Sequence, residues 1–279
     1  MKLGDLEFHV IRDGDIWLDG GAMFGVVPKT LWEKKAPADA RNRIRLAMNC
    51  LLILAGGKRI LVETGAGDKW TPKLRDIYNI QGAHLGEGLR RYGLGPEDID
   101  IVVDTHLHFD HCGGNTRIER DKIVPAFPNA RYAMQRADFD HAMHPTERDR
   151  ASYIFENYAP LQDAGCLMLL DNETTVLAPG VEAIRVPGHT SGMLCVKLSG
   201  GGKTAFCFAD LIPTRAHLPL PWIMGFDLYP LTTLENKKKW IPKVVREGWL
   251  ALFSHDTECP AAYLRERDGA WDAEPAVVD

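Results

Sequence analysis

The chain has little of what membrane-bound or nucleic-acid-binding proteins need. No opening stretch is apolar enough for a signal peptide or a membrane span, because Met1 to Asp15 carries charges throughout. The longest basic run is Lys237-Lys238-Lys239, and 33 basic against 38 acidic residues give a net charge of −5. This balance disfavours a polyanionic ligand. We therefore expect a cytoplasmic protein that binds neither nucleic acid nor membrane.

Cysteine spacing and sequence complexity exclude two further classes of protein. The six cysteines, at positions 50, 112, 166, 195, 207 and 259, form no C-x-x-C pair, and several lie within apolar runs. They are therefore expected to be reduced, buried thiols rather than a disulfide framework. No internal repeat or low-complexity linker interrupts the sequence. A chain of 279 residues can bury one large core, so we expect a single domain over residues 1–279.

Histidine, by contrast, is concentrated in one short segment. The run His106-Leu107-His108-Phe109-Asp110-His111 holds three imidazoles and one carboxylate. Buried side by side, these groups would compete for the same hydrogen-bond partners, so an ordinary core segment is excluded. Imidazole and carboxylate together suit Zn²⁺, Fe²⁺, Mn²⁺ or Co²⁺. The run therefore predicts a metal site, with solvated surface histidines as the alternative.

Three more polar residues share one feature with this run, since each follows an apolar segment predicted to be a β-strand. The pairs, in chain order, are Ile101–Val103 before the histidine run, Val181–Val186 before His189, Lys203–Phe208 before Asp210, and Trp249–Phe253 before His255. Proteins of the α/β class place their chemistry on loops at the carboxyl ends of strands. We therefore expect His189, Asp210 and His255 to join the same site.

In order, residue type and placement, these motifs resemble the metallo-β-lactamase superfamily. The motifs are T-H-L-H-F-D-H-C-G-G from Thr105, G-H-T-S-G from Gly188, and the two strand-terminal residues Asp210 and His255. The resemblance covers most of the chain, starting near residue 47. It implies an α/β fold of the αββα type, in which two mixed β-sheets lie face to face with helices on both outer faces.

The resemblance also implies two divalent metal ions, with zinc favoured and manganese, cobalt or iron as alternatives. The implied ligands are His106, His108 and His189 for one ion, Asp110, His111 and His255 for the other, and Asp210 bridging both. Such a pair of ions can lower the pKa of a shared water from 15.7 towards roughly 7, which generates hydroxide. Asp110 and Asp210 are thus also predicted to be catalytic, Asp110 by orienting the hydroxide or receiving its proton.

Glu63-Thr64-Gly65 stands where the family usually has Asp-Thr-Gly. The resemblance suggests that Glu63 supports the metal loops from outside the ligand set. An exposed acid at a strand end is the alternative.

Two apolar stretches are too rich in Gly and Pro to form regular elements. They are Met23–Val27, continued by Leu31-Trp32, and Leu218–Phe226. Beside a metal site, such loops predict a hydrophobic rim for an uncharged, partly apolar small molecule. The predicted pocket residues are Met23, Phe24, Trp222, Met224 and Phe226. Alternatively, the two loops pack on each other or form a contact in a homodimer.

The implied ligand set resembles that of lactonases, methyl parathion hydrolase-like enzymes and glyoxalase II. N-acyl-homoserine lactonases usually carry a Tyr three positions after the bridging Asp, where this chain has Pro213. The stretches Asp210–Pro213 and Gly225–Asp227 look closer to the methyl parathion hydrolase branch, and the sequence does not place Tyr229 relative to the site.

The leading hypothesis is a dinuclear metal hydrolase that cleaves a lactone, carboxylic ester or phosphotriester by a metal-bridging hydroxide. The alternatives are a mononuclear iron dioxygenase of the persulfide type, a metallo-nuclease, and a non-enzymatic protein that retains the fold.

Two segments are predicted to be helical and one to be irregular. Residues from Leu231 to Arg246 show a helical pattern, in which the triplet Lys237-Lys238-Lys239 is expected on the solvated face. Residues from about 136 to 160 are expected to be helical as well, whereas Gly20 to Arg45 is expected to be rich in loops.

Overall fold

The computed structural model describes residues 1–278, which contain sixteen strands and eight α-helices. The strands are β1 Lys2–Leu3, β2 Leu6–Asp19, β3 Arg43–Ala55, β4 Lys58–Val62, β5 Ile101–Val103, β6 Thr116–Glu119, β7 Lys122–Pro125, β8 Arg131–Gln135, β9 Leu167–Leu170, β10 Thr174–Ala178, β11 Val181–Arg185, β12 Leu194–Gly200, β13 Lys203–Cys207, β14 Leu250–Leu252, β15 Ala261–Arg267 and β16 Ala270–Pro275. The helices are α1 Gly20–Phe24, α2 Lys29–Trp32, α3 Pro72–Tyr78, α4 Leu85–Arg90, α5 Phe109–Cys112, α6 Arg136–Met143, α7 Ala159–Asp163 and α8 Pro230–Glu247.

The strands form two seven-stranded mixed sheets and one hairpin. The first sheet has the order β1-β2-β3-β4-β5-β8-β9 and the second runs from β10 to β16 in chain order, while β6 pairs with β7 alone. The pairs β4–β5, β5–β8, β8–β9 and β13–β14 are parallel, and the other neighbours are antiparallel. Mixed sheets of this kind need helices on their faces to cover the parallel strands.

The two sheets bury a common apolar core between them. Alternate residues of the first sheet, such as Leu51 and Ile53, pack in one cluster with Val181 and Val196 of the second. Alternation of this kind directs every second side chain of a strand into the core. Helices cover the outer faces: Leu89 of α4 packs with Ile11, and the apolar side of α8 packs on the second sheet. The expected αββα sandwich is therefore confirmed.

The edge at which β5, β13 and β14 end is also where the sheets are joined by backbone hydrogen bonds. The amide of Ala47 in β3 donates to the carbonyl of His255 at 3.0 Å, and the amide of Asn49 donates to that of Ser254 at 2.9 Å. Because the strands that precede the predicted ligands end at this shared edge, their following loops meet there.

The expectation of a helix through residues 136–160 was wrong for its central part. Only α6, α7 and a 3₁₀ helix at Phe155–Asn157 are helical, and the chain between Met143 and Phe155 forms turns. Pro145 favours extended backbone at the residue before it and cannot donate a helical hydrogen bond. Thr146 then donates from its Oγ1 to Asp149 Oδ1 at 2.6 Å, which stabilises a turn instead.

No helix among the described residues has both the length and the apolar character needed to cross a bilayer.

Candidate metal centre

The structure brings all seven predicted ligands together at the shared sheet edge. His106 and His108 follow β5, Asp110 and His111 lie in α5, His189 follows β11, Asp210 lies in a 3₁₀ turn after β13, and His255 follows β14. Their ligand atoms form three overlapping groups, each within 4.8 Å: His106, His108 and His189; His106, His111 and Asp210; Asp110, His111 and His255. Seven side chains from four segments thus surround one small volume.

Within this volume, imidazole nitrogens face one another at short distances. His111 Nε2 lies 3.0 Å from His255 Nε2, and His108 Nδ1 lies 3.0 Å from His189 Nε2. A pair of neutral imidazoles tolerates such an approach only where one nitrogen carries a proton or where both direct lone pairs at a cation.

The partners on the far side of these rings settle which nitrogens carry protons. His255 Nδ1 lies 2.7 Å from the carbonyl of Ala47, and His111 Nδ1 lies 2.9 Å from Glu63 Oε2. Since a carbonyl and a carboxylate can only accept, both Nδ1 atoms donate, and each neutral ring keeps a lone pair on Nε2. The same holds for His189, whose Nδ1 donates to Asp227 Oδ1 at 2.9 Å. The lone pairs therefore converge, as a metal ion requires.

Two buried polar atoms at the centre have no hydrogen-bond partner within residues 1–278. They are Nε2 of His106 and Oδ1 of Asp210, whose contacts with neighbouring histidines lack hydrogen-bond geometry. Asp210 lies between the two histidine groups, with Oδ1 3.2 Å from His255 Nε2 and Oδ2 3.4 Å from His189 Nε2. Unpartnered polar atoms are rare in folded proteins and costly when buried. The residues present thus fit a bound divalent cation, with Asp210 among the candidate ligands.

The electrostatics of the cluster favour a neutral imidazole at two of the five histidines. Burial, reinforced by His111, holds the pKa of His106 well below its usual range, and burial does the same for the pKa of His108. At His111, His189 and His255 the pKa is raised, because carboxylates led by Glu63, Asp227 and Asp210 respectively outweigh the effect of burial. Burial alone would raise the pKa of Asp210, but His255 and His111 hold it well below the usual value. Neutral imidazoles beside an ionised carboxylate are the states that bind divalent ions.

Two carboxylates hold the rings of the ligand histidines from behind. Glu63 contacts His111, and its Oε1 accepts the amide of Thr105 at 3.2 Å, so this acid is buried rather than exposed. Its backbone is left-handed, with φ of 68°, and Ala209 beside Asp210 has φ of 47°. Non-glycine residues in this region are strained and tend to occur at functional sites. Asp227 orients His189 in the same way, a role that no motif in the sequence indicates.

A cavity of about 150 Å³ opens onto the ligand cluster. Its lining consists of Leu18, Met23, Leu46, Tyr78, His108, Phe109, Asp110, Arg148, Ala151, Ser152, His189, Asp210, Met224, Phe226 and His255. Three of the predicted pocket residues thus line the cavity. Phe24 and Trp222 do not line it; the Phe24 ring stacks on Trp32 and on His217 and meets Trp222 edge-on. Tyr229 is 47% exposed and is not part of the lining.

The expectation that Met23–Val27 and Leu31-Trp32 form no regular element was wrong, because Met23 and Phe24 end α1 and Leu31 and Trp32 end α2. This first wall segment is joined to the second by polar contacts. His217 Nε2 lies 2.9 Å from the carbonyl of Met23, and its Nδ1 lies 2.8 Å from Thr214 Oγ1. Burial lowers the pKa of His217 to about 3, so the ring is neutral near pH 7. The loops therefore pack on each other, as well as lining the cavity.

Lys237 contradicts the prediction of a solvated basic triplet. Its side chain is 0% exposed, and Nζ donates to the carbonyls of His217, Pro219 and Trp222 at 2.7, 2.7 and 2.9 Å. An ammonium group has three N–H donors, and here each one has an acceptor between His217 and Trp222. The pattern of apolar residues within α8 predicted a solvated Lys237, because it carries no information about the loop from another segment that covers this face of the helix.

Comparison with known proteins shows the class to which this fold and site belong. A family model described as the metallo-beta-lactamase superfamily matches residues 44–255, and the chain belongs to that superfamily. An N-acyl homoserine lactonase from a Bacillus species is 30% identical over 173 residues, which cover 61% of this chain and 61% of that relative. The chain thus spans about three fifths of the length of the curated relative that it matches.

Two solved structures share the fold over nearly their whole length. A probable metal-dependent hydrolase from Staphylococcus aureus has a TM-score of 0.90 and 30% identity, with full coverage of both chains. A dizinc quorum-quenching lactonase, solved with a product bound, has a TM-score of 0.83 and 22% identity, covering 100% of this chain and 97% of that one. The second likeness concerns the fold alone.

Proposed function

We propose that the chain is a dinuclear metal-dependent hydrolase that cleaves an ester-type bond in a partly apolar small molecule. The observation that carries this proposal is the convergence of histidine lone pairs on both sides of Asp210, at the bottom of an apolar cavity. The names of the relatives, lactonases and a metal-dependent hydrolase, support the same class of reaction.

His106, His108 and His189 would hold one ion, Asp110, His111 and His255 the other, and Asp210 would contact both. When bound, two divalent ions, with zinc favoured, supply Lewis-acid polarisation of the attacked oxygen and lower the pKa of a water. The donor set of five imidazoles and two carboxylates leaves about two positive charges uncompensated, which stabilises negative charge on the substrate.

Asp110 is the residue best placed to manage a proton. It lines the cavity, and its Oδ1 and Oδ2 lie 3.8 and 3.7 Å from the Nε2 atoms of His111 and His255, respectively. A carboxylate there can accept a hydrogen bond from the attacking water, orient it towards the substrate and take its proton. Met23, Met224 and Phe226 would hold the apolar part of the substrate and exclude bulk water.

Among ester-type substrates, the curated relatives favour lactones, whereas Pro213 at the position of the usual tyrosine favours aryl esters or phosphotriesters. Tyr78 contributes a phenol to the cavity wall from α3 instead. We therefore order the substrate screen as lactones, aryl esters and phosphotriesters.

The proposal is tested by elemental analysis of the protein purified without chelator. We expect about two equivalents of zinc, manganese or cobalt per chain, together with ester hydrolysis that a chelator abolishes and added metal restores. About one equivalent, chiefly iron, with oxygen uptake on a persulfide substrate, would overturn the proposal in favour of the dioxygenase.

A further inference from the structure

One cation lies among the residues that line the cavity, and it is not explained by metal binding. This residue is Arg148, on the turn segment between α6 and α7. The other lining residues are apolar, are candidate metal ligands, or carry a hydroxyl, as Tyr78 and Ser152 do. A single positive charge in such a wall can distinguish substrates by their charge.

The segment that carries Arg148 is held firmly. Asp149 is buried, and its carboxylate accepts from Thr146 Oγ1 at 2.6 Å and contacts His141 Nε2 at 2.5 Å. The carbonyl of Ser152 accepts the amide of Phe109 at 2.9 Å, which ties the segment to α5 and hence to the candidate ligands. The position of Arg148 relative to the metal centre is therefore fixed by the fold rather than by the arginine itself.

Arg148 uses one of its five N–H groups within the protein. A terminal nitrogen of its guanidinium donates to the carbonyl of Gly225 at 2.7 Å. Within residues 1–278 it has no carboxylate partner, whereas Arg45 pairs with Asp15 and Arg215 pairs with Glu258. The guanidinium thus forms no ion pair, and its remaining donors keep the planar fork that recognises carboxylates and phosphates.

We propose that Arg148 is a specificity-determining residue that binds an anionic oxygen group, a carboxylate or a phosphate, on the end of the substrate remote from the bond that is cleaved. The inference rests on the proposed ester hydrolase. It replaces the expected uncharged substrate with a partly apolar ester that carries a negative charge at its far end. The apolar wall would hold the connecting chain, and Gly225 would keep the guanidinium at the wall.

Matched substrates and variants test this assignment. The substrates are aryl esters of equal chain length that end in a methyl, a carboxylate or a phosphate group, and the variants are Arg148→Met, Arg148→Lys and Arg150→Met. Arg150 is exposed, as Arg148 is, and lies on the same segment, but it does not line the cavity. We expect Arg148→Met to raise KM about tenfold for the better anionic ester, with kcat within about twofold, and to leave the methyl ester unchanged.

Arg148→Lys is expected to restore part of the preference, and Arg150→Met none of it. Whichever anionic ester shows the larger rise in KM in Arg148→Met identifies the group, carboxylate or phosphate, that Arg148 binds. Equal changes in KM for methyl and anionic esters would overturn the proposal, because they would show that Arg148 only ties its segment to Gly225.

A binding measurement separates this proposal from the proposed reaction. Calorimetric titration of the metal-loaded protein with a monocarboxylate and an α,ω-dicarboxylate of equal length needs no turnover. We expect the dicarboxylate to bind about tenfold more tightly, and Arg148→Met to remove that difference. Equal affinities in the wild type would overturn the role of Arg148 even if the hydrolase stands. A preserved difference without any ester hydrolysis would instead contradict the proposed reaction alone.

Discussion

The ligand cluster and the cavity wall lie in contact, but they are built in different ways. Each ligand follows the end of a strand or lies in the short α5, and the rings of His111, His189 and His255 are fixed by an acceptor behind them. The wall comes from loops that are distant in sequence and meet only through contacts such as those of His217 and Lys237. Local sequence thus determines the candidate metal ligands, whereas packing between distant segments determines which substrates fit the cavity.

This difference has an energetic basis. In a ligand histidine, one ring nitrogen donates to a fixed acceptor and the other directs its lone pair at the metal site. Only one orientation of the ring satisfies both nitrogens. An apolar wall gains its stability from buried area, which many side chains of similar size can supply. Substitutions in the cluster should therefore abolish metal binding or turnover, whereas substitutions that loosen the wall should change selectivity and local stability.

The largest effect is expected for Asp210→Asn, which tests the cluster at its centre. The neutral amide cannot bridge two cations, so we expect the loss of about one metal equivalent and of at least ~10²-fold in kcat. Elemental analysis and steady-state kinetics on the best ester measure both. Asp256→Asn, at a buried carboxylate that caps the backbone beyond His255, is the matched control. Turnover of Asp210→Asn close to that of the wild type would contradict the bridging role.

A smaller effect on the metal centre is expected for Asp227→Ala, because Asp227 contacts a candidate ligand and is not itself one. This change removes the acceptor that fixes the tautomer of His189, so metal affinity should fall by about 10- to 100-fold. Thr233 donates to the other carboxylate oxygen of Asp227 at 2.6 Å, and Thr233→Val should therefore give a weaker loss in the same direction. Competition with a chromophoric chelator measures the affinities. Unchanged metal binding in Asp227→Ala would show that the ring is held by packing alone.

For the wall, Lys237→Met should loosen the second loop and leave the metals in place. The variant leaves three buried carbonyls without their donor, which should cost about 3 kcal/mol of unfolding free energy. KM for apolar esters should rise by about threefold to tenfold, and amide exchange should increase over residues 217–226. Lys238→Met, which removes only an exposed pair with Glu235, is the control. Equal stabilities of the two variants would contradict the role of Lys237.

The same contrast explains how much of the molecule could be predicted from the sequence. The αββα fold and the convergence of the seven candidate ligands were predictable, since each of the four segments that carry them follows a strand. Arg148 was missed because its segment was expected to be helical, and Lys237 because the loop above it is brought there by tertiary packing. Asp227 carried no signal, because nothing in the sequence around Gly225-Phe226 marks its contact with His189.

The smallest effect near neutral pH is expected at His217, which links the two loops of the wall. Its pKa falls from an ordinary 6.5 to about 3, chiefly by burial and then through Lys237. The unfolded chain therefore takes up a proton first, and the stability present above pH 6.5 is lost as the pH falls towards 3. The amide of His217→Gln can still donate to Met23. Relative to this variant, the wild type should lose about 1 kcal/mol of unfolding free energy by pH 6, and more at lower pH. Urea unfolding of both chains across this range isolates His217, because the ligand histidines are common to both. If the unfolding free energies of the two proteins depended on pH in the same way, His217 would not be a neutral, buried group. The contact between the loops would then be independent of its protonation state.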